Sequence, residues 1–85
     1  MSLLNAKWLA EHFEQEVPTG AVDGLNKIFT LSQIPHSTKA VIVLMNSQVQ
    51  YQVSDYTVDT SGVITFVNAP VLGQEPYAFY MKKVS

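Results

Sequence analysis

The stretch VPTGAVDGLNKIFTLSQIP, residues 17–35, decides the fold. Pro18, Gly20, Asp23 and Gly24 crowd in front of a short alternating run, Ile28-Phe29-Thr30-Leu31, which stops at Pro35. Turn chemistry of this density followed by a period-two run marks the entry to a strand. From Pro18 onward the hydrophobic period is two, and before it the period is 3.6.

Downstream of that entry, further runs rich in Val, Ile, Thr, Tyr and Phe read as strands. With Lys27–Ser32 they are Ala40–Asn46, Val49–Val53, Tyr56–Asp59, Val63–Val67 and Tyr77–Lys82. The breaks between them are turns. Asn46-Ser47 closes one hairpin, the segment DTSG at 59–62 closes a second, and NAP at 68–70 with LGQEP at 72–76 forms the next connection. Short strands at this spacing with no helix between them predict a mainly β fold. The expected architecture is an antiparallel β-sandwich of about five to seven strands, Ig-like or a small barrel.

Upstream of the entry, residues 3–15 read as an α-helix, with Ser2 as N-cap and Pro18 ending it through Val17. At 100° per residue, Leu3, Ala6, Leu9, Ala10 and Phe13 share one face, and Leu4 and Trp8 share another. Glu11, Glu14 and Glu16 lie at the C-terminal end of that helix, against its dipole. Two apolar faces and an unfavourable dipole imply that something outside the helix holds it. The expected organisation is a helical docking or oligomerisation arm, residues 1–17, followed by a β-sandwich domain, residues 18–85.

The 85 residues allow one domain with a modest core. Hydrophobic residues make up 47% and charged residues 14%, against about 25% charge in an ordinary soluble domain. The net charge is −2, there is no Arg, and Lys7, Lys27, Lys39, Lys82 and Lys83 are scattered. The basic stripe of a nucleic-acid binder is missing, as is a basic amphipathic helix for a membrane surface. No apolar run approaches the ~18 residues of a membrane span. The N-terminus has no continuous apolar core and does not read as a signal peptide. Without Cys there is no disulfide, no thiolate nucleophile and no Cys-based zinc site.

Reactive groups are sparse. His36 beside Ser37 reads as a solvated turn residue, because neighbours on a turn rarely aim side chains at each other and no orienting acid is evident. Asp55 and Asp59 flank a strand and stand ~13 Å apart if it is extended, too far for a paired acid/base site. Asp23 with these two lacks the pattern of a calcium loop and reads as a third turn aspartate. PTGAVDGLNK lacks the GK[ST] of a phosphate loop. The expectation is no catalytic residue, no metal and no cofactor.

The last strand, YAFYMKK, is unusual. Tyr77, Phe79 and Met81 point one way and Ala78, Tyr80 and Lys82 the other, so both faces are apolar or aromatic. A strand with one wet face alternates apolar with polar. Tyr, Phe and Met are the residues that interfaces enrich. Leu4, Trp8, Tyr77, Phe79 and Met81 are therefore the candidate protein-interface residues. A carbohydrate platform, built from aromatics beside Gln48, Gln50 and Gln52, is the alternative.

The segment EVPTGAVDGLNKIFTLSQIP resembles a motif of bacteriophage and prophage virion proteins, in which E-x-P-x-G-x-V-[DN]-G-x-N-x-x-F-T-L opens a small β-sandwich. The matching residues are Glu16, Pro18, Gly20, Val22, Asp23, Gly24, Asn26, Phe29, Thr30 and Leu31. The likeness continues through Asn46, Asp55, Tyr56, Thr57, Gly62, Ile64, Thr65, Phe66, Ala69, Pro70 and Gly73, with Tyr80 in the last strand. Ser47 and Gln74 depart from the Gly and Asp usual at their positions. The resemblance covers about residues 16–83. It implies a non-enzymatic virion building block of a tail, baseplate, collar or fibre, assembled in the bacterial cytoplasm. Its expected partners are itself, as a trimer or hexamer, and other virion proteins, with no nucleic acid and no membrane. A receptor- or carbohydrate-binding module is the alternative.

Overall fold

A computed structural model of the protein describes residues 12–83. They form two antiparallel sheets from seven strands: β1 (Phe13–Glu16), β2 (Ile28–Thr30), β3 (Val41–Met45), β4 (Gln48–Val49), β5 (Tyr56–Val58), β6 (Val63–Phe66) and β7 (Pro76–Met81). A four-stranded sheet has the order β1-β7-β3-β4, and a three-stranded sheet the order β2-β6-β5. The fold is mainly β, as the sequence predicts.

Both sheets feed one core. Phe29, Tyr56, Ile64 and Phe66 come from the three-stranded sheet, and Val41, Val43, Met45, Ala78 and Tyr80 from the four-stranded one. Phe66 packs edge-on against Phe29 with ring centroids 5.4 Å apart, and tilted against Tyr56 at 6.4 Å. The Tyr56 hydroxyl donates to the Val41 carbonyl at 2.8 Å, a hydrogen bond from one sheet to the other. A buried phenol needs such a partner, and this one satisfies it without a water.

The turn-rich lead fits the core closely. Pro18 is buried, and the Thr19 and Thr30 backbones exchange hydrogen bonds of 2.8 and 2.9 Å. That brings Gly20 against the Phe29 ring, where an added Cβ would stand 2.5 Å from a ring carbon. Asp23 Oδ1 accepts from the Leu25 and Asn26 amides, both at 2.9 Å. The Asn26 amide group donates to the Ala21 and Ile28 carbonyls. The lead is thus a clamp that delivers Phe29 to the interior in register.

The predicted helix is corrected over its last turn. Phe13–Glu16 is strand, paired with β7 in the register Phe13↔Met81 to Glu16↔Ala78. Helix propensity is a small bias per residue. Here the ladder, the Phe13–Phe79 stack at 5.5 Å and the bonds to the Glu16 carboxylate outweigh it. The sheet therefore takes in residues N-terminal to the expected domain start at residue 18. Residues 1–11 of the expected arm, with Leu4 and Trp8, lie outside the described residues.

The other strands match their predicted runs, with one exception. Of the run 49–53 only Val49 is strand, in β4. The chain leaves the ladder because local partners compete for its amides: Asp55 Oδ2 takes the Tyr51 amide at 2.7 Å, and the Tyr56 carbonyl takes that of Val53 at 2.7 Å. The Asn46-Ser47 hairpin forms with both residues left-handed, φ 51° and 69°, as a two-residue turn of this kind requires.

Candidate interaction surface

Strand register sets which side chains share a face. Across the four-stranded sheet, Gln15 lies opposite Phe79 and Phe79 opposite Ile42. Tyr77 lies opposite Leu44, and Leu44 opposite Val49. Phe13 lies opposite Met81. These residues alternate along β7 and β3 with the buried Ala78, Tyr80, Val41 and Val43, so they form the sheet's outer face. Ile42 is 46% exposed and Val49 58%, while Tyr77, Phe79, Met81 and Leu44 are half-buried. Phe79 stacks on Phe13 at 26° between ring planes. The Tyr77 hydroxyl reaches Gln15 Oε1 at 3.4 Å.

Tyr77, Phe79 and Met81 are therefore together on one face, as their spacing predicts. Phe13, Ile42, Leu44 and Val49 were not singled out by sequence. The signal for Ile42 and Leu44 was present in the unbroken apolar run VIVLM, which has no polar residue for an outward face. Phe13 was hidden by the helical reading.

The outer face of the three-stranded sheet differs. Ile28, Thr65 and Thr57 lie opposite one another, as do Thr30 and Val63. Threonines dominate it, and Ile28 is its one large exposed apolar residue.

The edge of the four-stranded sheet is tied to the segment after β2 by a compact polar cluster. The Glu16 carboxylate accepts from the Ser32 amide at 3.1 Å, from the Ser32 hydroxyl at 2.8 Å and from the Tyr80 hydroxyl. Tyr80 in turn accepts from the Gln33 amide at 3.2 Å. Burial, then the adjacent Glu16 carboxylate, pushes the Tyr80 phenol well above its ordinary value. Burial also raises that of Tyr56. These are neutral, hydrogen-bonded phenols, which suits packing rather than proton transfer.

The remaining polar candidates are occupied by turns. Ser37 Oγ accepts the Lys39 amide and caps the short 3-10 turn Thr38–Ala40, while the His36 amide donates to the Met81 carbonyl. Asp59 Oδ1 accepts from the Val63 amide, the Ser61 amide and the Ser61 hydroxyl, which hold its carboxyl below the usual range. Asp23 is lowered by the Asn26 and Leu25 amides. Gln52 spends its amide group on the Thr38 and Val41 carbonyls, at 2.7 and 3.1 Å, and Gln50 donates to the Gln48 carbonyl. Among the described residues, no group of three or more His, Asp or Glu side chains is placed to hold a metal ion. No helix there is long and apolar enough to cross a membrane.

No family model, curated protein or solved structure matches this chain.

Proposed function

We propose that the protein is a non-enzymatic β-sandwich building block that works by packing against copies of itself, and that it serves in a phage or prophage virion. One observation carries the assembly reading: the outer face of the four-stranded sheet presents Phe13, Ile42, Leu44, Val49, Tyr77 and Phe79 where a solvent face would be polar. The virion role comes from the sequence resemblance, whose residues are turn and core residues here. Gly20 packs on Phe29, Asp23 and Asn26 clamp the lead, and Tyr56, Ile64 and Phe66 fill the core. Those residues therefore speak for a shared fold, and the outer face speaks for what the fold is used for. A trimer or hexamer fits a component of a tail, baseplate, collar or fibre, with neighbouring virion proteins as further partners. The low charge and the absence of Arg support a reading without nucleic-acid or membrane partners.

Light scattering across a concentration series tests the assembly. Wild-type protein is expected as one defined oligomer. Phe79→Glu is expected to yield monomer with an unchanged circular-dichroism spectrum, and Thr65→Glu, on the other outer face, to leave the oligomer intact. Burying a carboxylate in place of an interface aromatic costs at least about 2 kcal/mol, or ~30-fold in association. A wild-type chain that stays monomeric at high micromolar concentration overturns the reading.

A further inference from the structure

We infer that the groove between the 50–55 loop and the 68–74 connection is a binding site for a neutral polyhydroxylated ligand, the size of one sugar ring. It holds about 180 Å³. Gln50, Asp55, Asn68 and Gln74 line it, and the buried Met45 and Phe66 close it on the core side. None of these residues belongs to the apolar outer face, so this inference stands apart from the assembly reading.

Three of the four polar side chains, those of Gln50, Asp55 and Gln74, are held by internal bonds before any ligand arrives. Asp55 is fixed at three points: Oδ2 accepts the Tyr51 amide at 2.7 Å, its amide donates to the Tyr51 carbonyl at 2.8 Å, and its carbonyl accepts the Val67 amide at 2.9 Å. Gln74 Oε1 accepts the Val71 amide at 2.9 Å, which leaves its NH₂ group as the free end. Gln50 donates to the Gln48 carbonyl, which leaves its oxygen as the free end. Asn68 adds an exposed amide that none of these bonds uses. The groove therefore offers two acceptors (Asp55 Oδ1 and Gln50 Oε1), one donor (Gln74 Nε2) and one group that is both.

That complement matches hydroxyl groups, each of which donates once and accepts as well. It suits other ligand classes poorly. An anion would meet the Asp55 carboxylate with no cation among the described lining residues to offset it. A calcium ion takes six to eight oxygens, and Gln74 turns its nitrogen outward. An apolar ligand would strip water from four polar side chains.

The loop that carries Gln50 and Asp55 is itself strained. Val53 sits at φ 73°, in the left-handed region, with its side chain 79% exposed. A β-branched residue is disfavoured there, and no packing compensates it. The strained turn fixes the spacing between Tyr51, 70% exposed, and Asp55.

The test is a titration of ¹⁵N-labelled protein with glucose, galactose, N-acetylglucosamine and rhamnose, followed by amide chemical shifts, with calcium chloride as a separate arm. At least one sugar is expected to give saturable shifts confined to residues 50–55, 66–69 and 74, with a dissociation constant on the order of a millimolar. Asn68→Ala breaks none of the internal bonds named above, so its fold is expected to be unchanged and its binding about tenfold weaker. Absence of saturable shifts with all four sugars overturns the inference, as do shifts that Asn68→Ala leaves unchanged. Calcium moving the same amides where sugars do not also overturns it. Because shifts are read on whatever oligomer is present, a negative result here leaves the assembly test untouched.

Discussion

The two outer faces of this molecule share a geometry and differ in chemistry: one is mostly threonine with Ile28 and Val63, the other is almost wholly apolar or aromatic. On the three-stranded sheet, Thr57, Thr65 and Thr30 turn outward between Tyr56, Ile64 and Phe29 turned inward. That is the alternation of a sheet with one wet side. On the four-stranded sheet, Tyr77, Phe79 and Met81 turn outward between Pro76, Ala78 and Tyr80 turned inward, and Ile42 and Leu44 repeat the pattern on β3. The inward set alone fills the core described above. The outward apolar set goes beyond it: Phe13 stacked on Phe79 helps hold β1, and the face as a whole is the surface on which the assembly proposal rests. In a chain of 85 residues such surplus surface is also a route to extra stability, because a single core of this size is small.

The most forceful way to break the comparison is to strike the inward set. Phe29→Ala removes a side chain with no exposed surface that contacts both Phe66 and the Gly20 backbone. It is expected to destabilise the protein by about 3–5 kcal/mol, irrespective of protein concentration. Thr65→Ala, one residue from the buried Ile64 but facing outward, is expected to stay within about 0.5 kcal/mol. Urea unfolding at two protein concentrations reads both. A loss below about 1 kcal/mol for Phe29→Ala would mean that the two sheets do not share the core described.

A smaller effect sharpens the same comparison at its edge. Strand β1 brings Phe13 onto the apolar face, and its far end is tied down by the Glu16 carboxylate through the Ser32 amide, the Ser32 hydroxyl and the Tyr80 phenol. In Glu16→Gln one acceptor oxygen becomes a donor and the charge is lost. Charge-assisted hydrogen bonds of this kind contribute about 1–3 kcal/mol. The expected result is faster hydrogen exchange across β1 and at Ser32, with β3 and β7 paired as before. Unchanged exchange in β1 would show that the Phe13–Phe79 stack and the ladder hold the strand unaided.

Much of this fold was legible in the sequence, for physical reasons that the structure makes plain. Ile28–Thr30, Val63–Phe66 and Tyr56–Val58 alternate and are bounded by turns whose side chains cap their own backbone, as Asp59 does for Ser61 and Val63. Such information is local, so a sequence displays it. Phe13–Glu16 was not legible as strand, because FEQE carries helix-forming residues and its partner β7 lies more than sixty positions away. The 50–55 loop was misread for a related reason. Val49, Tyr51 and Val53 alternate as a strand would, while the group that ends the strand is the Asp55 side chain. The outer face was half legible. Tyr77, Phe79 and Met81 declared themselves by alternation, but joining them to Ile42 and Leu44 required the register of β3 on β7. The polar groove was invisible, since Gln50 and Asp55 belong to one connection and Asn68 and Gln74 to another, which only the tertiary fold brings together.

Acid titration gives the finest separation between the two sheets. Asp59 caps the β5–β6 turn and Asp23 caps the lead into β2, so both serve the three-stranded sheet. The amides they accept hold both carboxyls below their ordinary values in the folded chain. A depressed folded value means that the stabilisation is present above the unfolded pKa, near 3.9, and is lost as pH falls through the folded one. Between about pH 5 and 8 these caps are therefore constant, and their loss begins only below about pH 4. There, exchange at Ser61, Val63, Leu25 and Asn26 is expected to rise before that of the β3–β7 ladder, and Asp59→Asn is expected to flatten the response at Ser61 and Val63. At the other extreme the buried phenols reverse the sign. Tyr56 and Tyr80 have raised folded values, so their contribution is complete below the unfolded pKa, near 10, and disappears as pH climbs through the folded ones. Tyr56 bridges the sheets through Val41, so alkali is expected to release both sheets together where acid loosens one. Simultaneous loss of both sheets in acid, at the pH where Ser61 and Val63 first exchange, would remove the distinction.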